Sequence, residues 1–512
     1  MVNTGKASHG CAVCRQRKIK VRTCDLARPA CSQCVKAGWD CPGPKHQADV
    51  IFKDQTALVK RKVGGGTPTN SESEDSVPQS PGFIRAISPS TSERGTAFFM
   101  HQYVVSGRRN SRLSKPRGLH EYLPTLLRDE PINGPLRTIV AAAGLAALSN
   151  AGNAKIWAAE SYQLYNQAVR QLRHALSGSV KVSSDETLAA MMLMSTFEAI
   201  ASGDLDSMKF YGNHTMAAGR CIGLRGPAQF RNDTQLKMFL ELRRTIFMTC
   251  HQLQTNIPSA IQTWSSWAEP VQQPEERCSN SFTEINIRLS NIRADLKQRD
   301  VTSPDIIITE LLPIEEQLHS WKQNIPRAWQ IETFCTKDQN NVATQVWRSR
   351  YYMYDDFWKA TVWNGFRSVR MVIHEAIINA IITSRATKHQ EQLQLSMAVL
   401  KETVDDICAS VPYLLDHVHK DEFGRITQTT GDPRSGTIPR PGGWVLVWPL
   451  FQAAMVRTTP RSQRDCIAAV LRNIGLKMGL KLAISMAERL AKCDTILADG
   501  DTWLTGEFTT LH

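Results

Sequence analysis

The sequence predicts an all-α protein in which a small cysteine-rich module precedes a large helical body. Three observations support this prediction. Six cysteines lie between positions 11 and 41, helical periodicity runs from about Ala97 onward, and clear alternating strand patterns are absent. The 512 residues are enough for a large hydrophobic core beside the small module.

The six cysteines form two half-motifs, Cys11-x2-Cys14-x9-Cys24 and Cys31-x2-Cys34-x6-Cys41. Tetrahedral zinc needs four ligands, so six thiolates can serve two ions only if two of them bridge both metals. The internal repeat indicates the leading cysteine of each half, Cys11 and Cys31, as the bridges. We therefore predict a binuclear cluster with two Zn²⁺ ions per chain.

Basic residues concentrate around this cluster. Residues 1–62 carry thirteen Lys/Arg and four Asp/Glu, a net +9, whereas the other 450 residues carry +4. The run Arg15–Lys20 contains four basic residues and no acid. Two zinc ions and six thiolates add a charge of about −2, which leaves residues 11–41 near +3. A compact cationic module suits a polyanion, and double-stranded DNA is the expected partner.

The residues beside the cysteines carry a family resemblance: Cys14-Arg15-Gln16-Arg17-Lys18-Ile19-Lys20, then Cys24-Asp25, Pro29 and the second half-motif. This stretch resembles the DNA-binding domain of the fungal Zn2Cys6 binuclear-cluster transcription factors. The resemblance implies two zinc sites that share two ligands. One zinc would be held by Cys11, Cys14, Cys24 and Cys31, and the other by Cys11, Cys31, Cys34 and Cys41.

The same resemblance implies how the module contacts DNA. Lys18 would read base edges in the major groove at a CGG-like triplet, while Arg15, Arg17 and Lys20 would mainly contact phosphates. One departure bears on this, because the family has six residues between the second and third cysteines and this chain has nine. Val21–Thr23 is either a genuine insertion or a misplaced exon boundary.

Other interpretations of the cysteines fit less well. A disulfide scaffold needs an oxidising compartment, yet Met1–Gly10 lacks the apolar segment of a signal peptide. RING-type and ribbon zinc sites need a different number and spacing of Cys and His, and we expect His9 to be solvated rather than a ligand. The remaining seven cysteines are scattered, as expected for thiols of a reduced protein: 221, 250, 278, 335, 408, 466 and 493.

Composition divides the chain into four predicted segments. Residues 1–45 form the metal module, and 46–95 form a linker that is first basic and then rich in Gly, Pro, Ser and Thr. Residues 96–492 form the helical body, and 493–512 form a tail. The linker lacks three apolar heptads, so a homodimer would have no evident coiled coil.

Helical patterns fill the body. Pro135 is expected to open a helix over Leu136–Ser149, and Ser183 with Glu186 forms a predicted capping box before Thr187–Ala201. The apolar run Trp444–Leu450 predicts a buried element rather than a ligand-binding segment. Further helices are predicted over 154–177, 206–223, 235–256, 282–298, 305–323, 343–386, 392–410 and 462–492.

The body also resembles the helical regulatory region that fungal Zn2Cys6 regulators carry behind their linker, in segments such as Ala97–Val104, Thr187–Glu198 and Arg220–Gly226.

No apolar run reaches the ~20 residues of a membrane span, and no HExxH, G-x-S-x-G, Walker or kinase motif is present. We therefore expect a non-enzymatic nuclear regulator of RNA polymerase II transcription that binds DNA, transcriptional machinery or co-regulators, and a small-molecule effector. The alternative is a helical ligand-sensing or protein-interaction regulator whose zinc module no longer reads DNA because of Val21–Thr23. An enzyme with a zinc-binding appendage is a third, weaker interpretation.

Overall fold

The computed structural model describes residues 11, 13, 24, 25, 27, 30–41, 89–105, 117–152, 156–177, 184–203, 208–335, 347–385, 387–420, 426–428 and 442–492. Contacts divide the chain into two compact units, Met1–Ala86 and Ile87–His512. Among the described residues no helix has both the length and the apolar character to cross a membrane.

The predicted all-α class is confirmed. The first unit contains α1 (Ser32–Lys36). The second contains α2 (Thr91–Tyr103), α3 (Leu123–Asp129), α4 (Pro135–Ala151), α5 (Ile156–Leu176), α6 (Asp185–Ala201), α7 (Met208–Arg225), α8 (Asp233–Leu253), α9 (Ala260–Ala268), α10 (Cys278–Gln298), α11 (Pro304–Gln323), α12 (Phe357–Ser384), α13 (Gln390–Leu414), α14 (Gly443–Met455), α15 (Arg461–Met478) and α16 (Lys481–Lys492).

The helical body begins earlier than the sequence pattern indicated. Helix α2 begins at Thr91, inside the stretch read as linker, because Ser90 and Glu93 form a capping box. The backbone N–H of Ser90 donates to Glu93 Oε2 at 2.7 Å, and the N–H of Glu93 donates to Ser90 Oγ at 3.2 Å. The two bonds satisfy donors that a helix N-terminus otherwise leaves unpaired.

Helices α2 and α4 cross where two glycines meet. A Cβ atom on Gly144 would lie 1.8 Å from the Gly95 carbonyl oxygen, and one on Gly95 would lie 2.6 Å from the Ala141 carbonyl oxygen. Both helices therefore use the missing side chain to bring their backbones together. Pro135 lies in the first turn of α4 as predicted, where its missing N–H costs nothing.

Two helix starts that the sequence predicted within the body are corrected. The sequence placed the cap of α6 at Ser183, which lies outside the described residues; the N-cap of this helix is Ser184, which accepts from the N–H of Thr187 at 3.1 Å. The helix predicted over 343–386 begins only at Phe357. Asp356 caps it by accepting from the N–H of Lys359 at 2.8 Å.

Strands occupy part of that mispredicted stretch. Strand β2 (Arg350–Met353) pairs antiparallel with β1 (Glu332–Cys335), and a second short hairpin joins β3 (Val418–Lys420) to β4 (Ile426–Gln428). These short strands lack the length for a visible alternating pattern, so the sequence did not reveal them.

The helix predicted over 462–492 is two helices. The chain turns at Gly479, whose φ of +68° favours glycine, and a Cβ there would lie 1.9 Å from the Ala147 carbonyl oxygen. Asn150 Nδ2 donates to the Gly479 carbonyl at 2.8 Å, and the Tyr103 hydroxyl donates to the Met478 carbonyl at 2.9 Å. These bonds join the C-terminal helices to α2 and α4.

The apolar run at Trp444–Leu450 forms the buried element that the sequence predicted. It lies in α14, where Val445, Leu446, Val447 and Leu450 are buried. Trp444 and Trp448 are only partly buried, so the two faces of this helix have different surroundings.

A buried carboxyl on α12 leads to a stability prediction. Burial raises the pKa of Glu375 from 4.5 to about 7, although the N–H of Arg457 donates to its Oε1 at 3.3 Å. The folded state therefore binds more protons than the unfolded state between these pH values, and the free energy of unfolding falls as the pH rises through them. We expect Glu375→Gln to raise the free energy of unfolding by about 1–2 kcal/mol at pH 8, because the amide keeps an acceptor and needs no buried charge. The gain should vanish at pH 4.5, as measured by chemical denaturation at both pH values.

Glu315→Gln is the matched control, because we expect it to change the free energy of unfolding in the opposite direction. Burial would raise the pKa of this carboxyl, but His374 and Arg370 outweigh burial and hold its pKa below the ordinary value. Arg370 Nε donates to Glu315 Oε1 at 2.8 Å. Glu315→Gln should therefore lower stability at pH 8, and a loss of stability in Glu375→Gln at that pH would contradict the first prediction.

Candidate metal centre

The second half-motif folds around α1 and a tight turn. Cys31 is the N-cap residue of α1, in an extended conformation, and Cys34 lies within the helix. The N–H of Trp39 donates to the Cys34 carbonyl at 2.9 Å, and Gly38 has a φ of +63°. This left-handed glycine reverses the chain after the helix, which brings Cys41 back toward Cys31.

Four thiol sulfurs meet at this place. The Sγ atoms of Cys11, Cys31, Cys34 and Cys41 all lie within 4.8 Å of one another, and the first three residues are fully or almost fully buried. The Sγ atom of Cys11 is 3.8 Å from that of Cys31 and 3.7 Å from that of Cys34. These separations are far longer than the ~2.05 Å of a disulfide bond.

The sulfur distances match zinc coordination. A tetrahedron with Zn–S bonds of about 2.3 Å has edges of about 3.8 Å between ligand sulfurs. The two Cys11 distances agree with this edge, and thiolates are preferred ligands of structural zinc. The four cysteines therefore fit a zinc ion in donor type, number and spacing.

Backbone donors reach the sulfurs in the same way in both half-motifs. The N–H of Cys11 donates to Cys24 Sγ at 3.5 Å, and the N–H of Cys31 donates to Cys41 Sγ at 3.4 Å. In each half the leading cysteine thus contacts the closing cysteine. Such outer-shell donors orient thiolate ligands and offset their negative charge. The repeat seen in the cysteine spacing is present as a repeated hydrogen bond.

Asp25 links the two half-motifs. Its Oδ1 accepts from the N–H of Ser32, the first residue of α1, at 2.9 Å, and from the N–H of Ala27 at 3.4 Å. Hydrogen bonds from the backbone and hydroxyl of Ser32 hold the pKa of this exposed carboxyl below its ordinary value. Asp25, which follows the last predicted ligand of the first half-motif, therefore caps α1 in the second half-motif. Sequence reasoning used Asp25 only as part of a family pattern, although an acid is a common helix cap.

The predicted site residues divide into two groups. Five predicted zinc ligands are described, and four of them form the sulfur group while Cys24 lies against the Cys11 backbone. The others lie outside the described residues: the sixth predicted ligand Cys14, the DNA-contact residues Arg15, Arg17, Lys18 and Lys20, and the insertion Val21–Thr23.

Two family comparisons match this chain. The sequence model described as "Fungal Zn(2)-Cys(6) binuclear cluster domain" matches residues 9–48, which contain the sulfur group. The model described as "Fungal specific transcription factor domain" matches residues 114–354, from before α3 to the end of the β1–β2 hairpin. The chain belongs to the fungal Zn(2)-Cys(6) transcription factors. No curated protein and no solved structure matched it significantly.

Membership gives the chain its general properties. It is a fungal-type transcription regulator with a DNA-binding cluster domain, and that domain binds two zinc ions. Both matched families are families of transcription factors rather than enzymes. Helices α12–α16 lie beyond the second matched range yet complete the same helical body, since α15 contacts α4 and α16 contacts α6.

Proposed function

We propose that this fungal Zn(2)-Cys(6) regulator acts in the nucleus as a sequence-specific regulator of RNA polymerase II transcription that reads CGG-like triplets in the major groove. The observation that supports this most is the group of four sulfurs at zinc-coordination distances. The basic run Arg15–Lys20 lies between the second and third cysteines, so the metal would fix its position. Two basic clusters, Arg15–Lys20 and Lys60–Lys62, are available for nuclear import.

For the metal, we propose that Cys11 and Cys31 bridge two zinc ions. Cys34 and Cys41 would complete one tetrahedron, and Cys14 and Cys24 the other. The 3.8 Å between the Cys11 and Cys31 sulfurs supports this arrangement, because two bridging ligands must both belong to each tetrahedron.

For the chain as a whole, residues 1–45 serve as the DNA-binding module, joined by the linker to a helical body that receives regulatory input. We place the end of the linker at α2, where the Ser90–Glu93 capping box begins the helical body. The helical body would contact co-regulators or transcriptional machinery.

The test separates base reading from phosphate binding. Lys18→Ala should reduce the preference for a CGG-containing site over a scrambled site, because a good base contact is worth about 1–3 kcal/mol of discrimination. Arg15→Ala, Arg17→Ala and Lys20→Ala should weaken binding to both sites alike and reduce the salt slope by about one each. Affinity for both DNAs is measured across a salt series.

Lys36→Ala is the matched control. Lys36 is an exposed basic residue on α1, in the half-motif without the basic run, so its removal costs the same charge and should leave site preference intact. If Lys18→Ala, like Lys36→Ala, lowers the affinity for the CGG-containing site and for the scrambled site by the same factor, base reading by this segment is wrong.

A variant lacking Val21–Thr23 restores the six-residue spacing between the second and third cysteines. If this variant prefers the CGG-containing site and the natural chain does not, the ligand-sensing alternative is favoured for the natural chain.

A further inference from the structure

The helical body contains a cavity of about 190 Å³ between α8, α10, α12 and α14. Cavities of about 150 Å³ lined by apolar side chains bind benzene-sized molecules. The walls of this cavity are mainly apolar and aromatic, with Phe247, Phe282, Trp358, Trp444 and Trp448 among them. Trp444 and Trp448 of α14 are only partly buried because they line this cavity.

The charged side chains that line the cavity are all basic. Arg243 and Arg244 contribute to the wall, and no Asp or Glu among the described residues does so. Arg243 is only 4% exposed. A buried charge without an opposite charge is costly, so its presence in a cavity indicates a function.

The partners of Arg243 are neutral. Its Nη1 donates to Ser265 Oγ and to Asn280 Oδ1, both at 3.1 Å, and its guanidinium lies 5.5 Å from the centre of the Phe239 ring. Burial, with the nearby charge of Arg117, lowers the pKa of Arg243 to about 10, so it remains protonated at neutral pH. No carboxylate of the described residues forms an ion pair with it.

The neighbouring arginine does have a carboxylate. Arg117 forms two hydrogen bonds with Glu276, from Nε at 2.6 Å and from Nη2 at 2.8 Å. Glu276 therefore balances the charge of Arg117, and no carboxylate in the described part of the chain pairs with Arg243. The two buried arginines thus differ: Arg117 has a carboxylate partner, whereas the hydrogen-bond partners of Arg243 in the described residues are neutral.

His251 adds a neutral polar group to the wall. Asn286 Nδ2 donates to the Phe282 carbonyl at 2.8 Å, so Asn286 Oδ1 accepts from His251 Nε2 at 3.2 Å. Burial and Arg293 lower the pKa of His251 to about 4, which keeps the ring uncharged. Its Nδ1 has no hydrogen-bond partner among the described residues, so it is available as an acceptor.

We propose that this cavity binds a small organic acid, whose carboxylate pairs with Arg243 and whose apolar body contacts the aromatic walls. A guanidinium presents parallel donors that match a carboxylate, and such charge-assisted bonds are strongest away from water. Inorganic phosphate fits poorly, because it has no apolar part to replace water along the tryptophan and phenylalanine walls. The site lies in the helical body.

The experiment uses the full-length, zinc-loaded protein and the matched probes 4-phenylbutyrate and 4-phenylbutanamide. Binding is measured by calorimetry and by the shift in thermal unfolding midpoint, since a ligand of the folded state raises that midpoint. We expect the acid to bind at least about tenfold more tightly than the amide, a difference of about 1.4 kcal/mol. Inorganic phosphate should give no shift.

Four variants test the assignment. Arg243→Met should abolish the preference for the acid, whereas Arg220→Met, at an exposed position on α7, loses the same charge and should retain it. Ser368→Leu narrows the cavity from α12 and should weaken both probes without lowering the unfolding midpoint of the free protein. If Arg243→Met does not fold, Ser368→Leu and Arg243→Lys carry the test, with reduced preference expected in Arg243→Lys.

Equal affinity for the acid and the amide in the natural protein would overturn the proposal. A retained preference in Arg243→Met would also overturn it, as would equal midpoint shifts from phosphate and phenylbutyrate. Undiminished binding in Ser368→Leu would place the probe elsewhere and overturn the assignment to this cavity.

Discussion

Removing zinc should unfold the cysteine module and abolish DNA binding, while the helical body stays folded. Structural zinc contributes about 10–16 kcal/mol of apparent binding free energy in small zinc domains. The described core of this module consists of Cys11, Cys24, Cys31 and Cys34, with Val13, Trp39 and Cys41 packed against it. So few apolar groups cannot replace the metal. Elemental analysis of the intact protein should give two zinc ions per chain, both lost with a chelator.

Single cysteine variants test the sharing of ligands. Cys11→Ala and Cys31→Ala should each disturb both ions, because the proposed bridges belong to both tetrahedra. Cys41→Ala should disturb one. Cys335→Ala, which removes an exposed thiol on β1, is the control that should retain both ions. One zinc per chain in the natural protein, or loss of only one ion from Cys11→Ala, would rule out the binuclear arrangement with this bridge.

The metal module was largely predictable because its chemistry depends on local spacing. Six cysteines in two similar half-motifs predict a shared-ligand cluster from coordination number alone. The hydrogen bonds that support it were not predictable. Two of them are donated by the backbone N–H groups of Cys11 and Cys31, and because every sequence has such groups, no residue pattern indicates them. Asp25 caps a helix seven positions later, which no local capping pattern covers.

The helical body was predictable in class but less so in its boundaries. Amphipathic periodicity continues through residues such as Tyr351 and Tyr352, whose aromatic side chains suit a buried helix face as well as a strand. The start of α12 depends instead on the buried Asp356 cap. The cavity could not be predicted at all, because its walls come from helices far apart in sequence. Within α8, Arg243 looks like an ordinary basic residue of an amphipathic helix until its neighbours are known.

Gly144→Ala should lower the free energy of unfolding of the helical body by about 3–5 kcal/mol. The added Cβ would lie 1.8 Å from the Gly95 carbonyl oxygen, and that atom belongs to the backbone, so no side-chain rotation can relieve the overlap. Helices α2 and α4 would have to separate, which would loosen the packing of Phe99 and Leu145 around the crossing. Glycine within a helix costs about 0.5–1 kcal/mol relative to alanine. In α2 and α4 the close packing of the two backbones offsets this cost.

Gly152→Ala separates this effect from the intrinsic preference of helices for alanine. Gly152 ends the same helix with a φ of −89°, and its nearest contact for an added Cβ is the Leu148 carbonyl oxygen at 3.2 Å. Alanine can adopt that conformation, so the free energy of unfolding should change by less than about 1 kcal/mol. Urea denaturation followed by far-ultraviolet circular dichroism measures both variants. Equal midpoints for Gly144→Ala and Gly152→Ala would show that α2 and α4 do not approach at Gly95, whereas a large loss in Gly144→Ala alone would confirm the close backbone contact of these two helices.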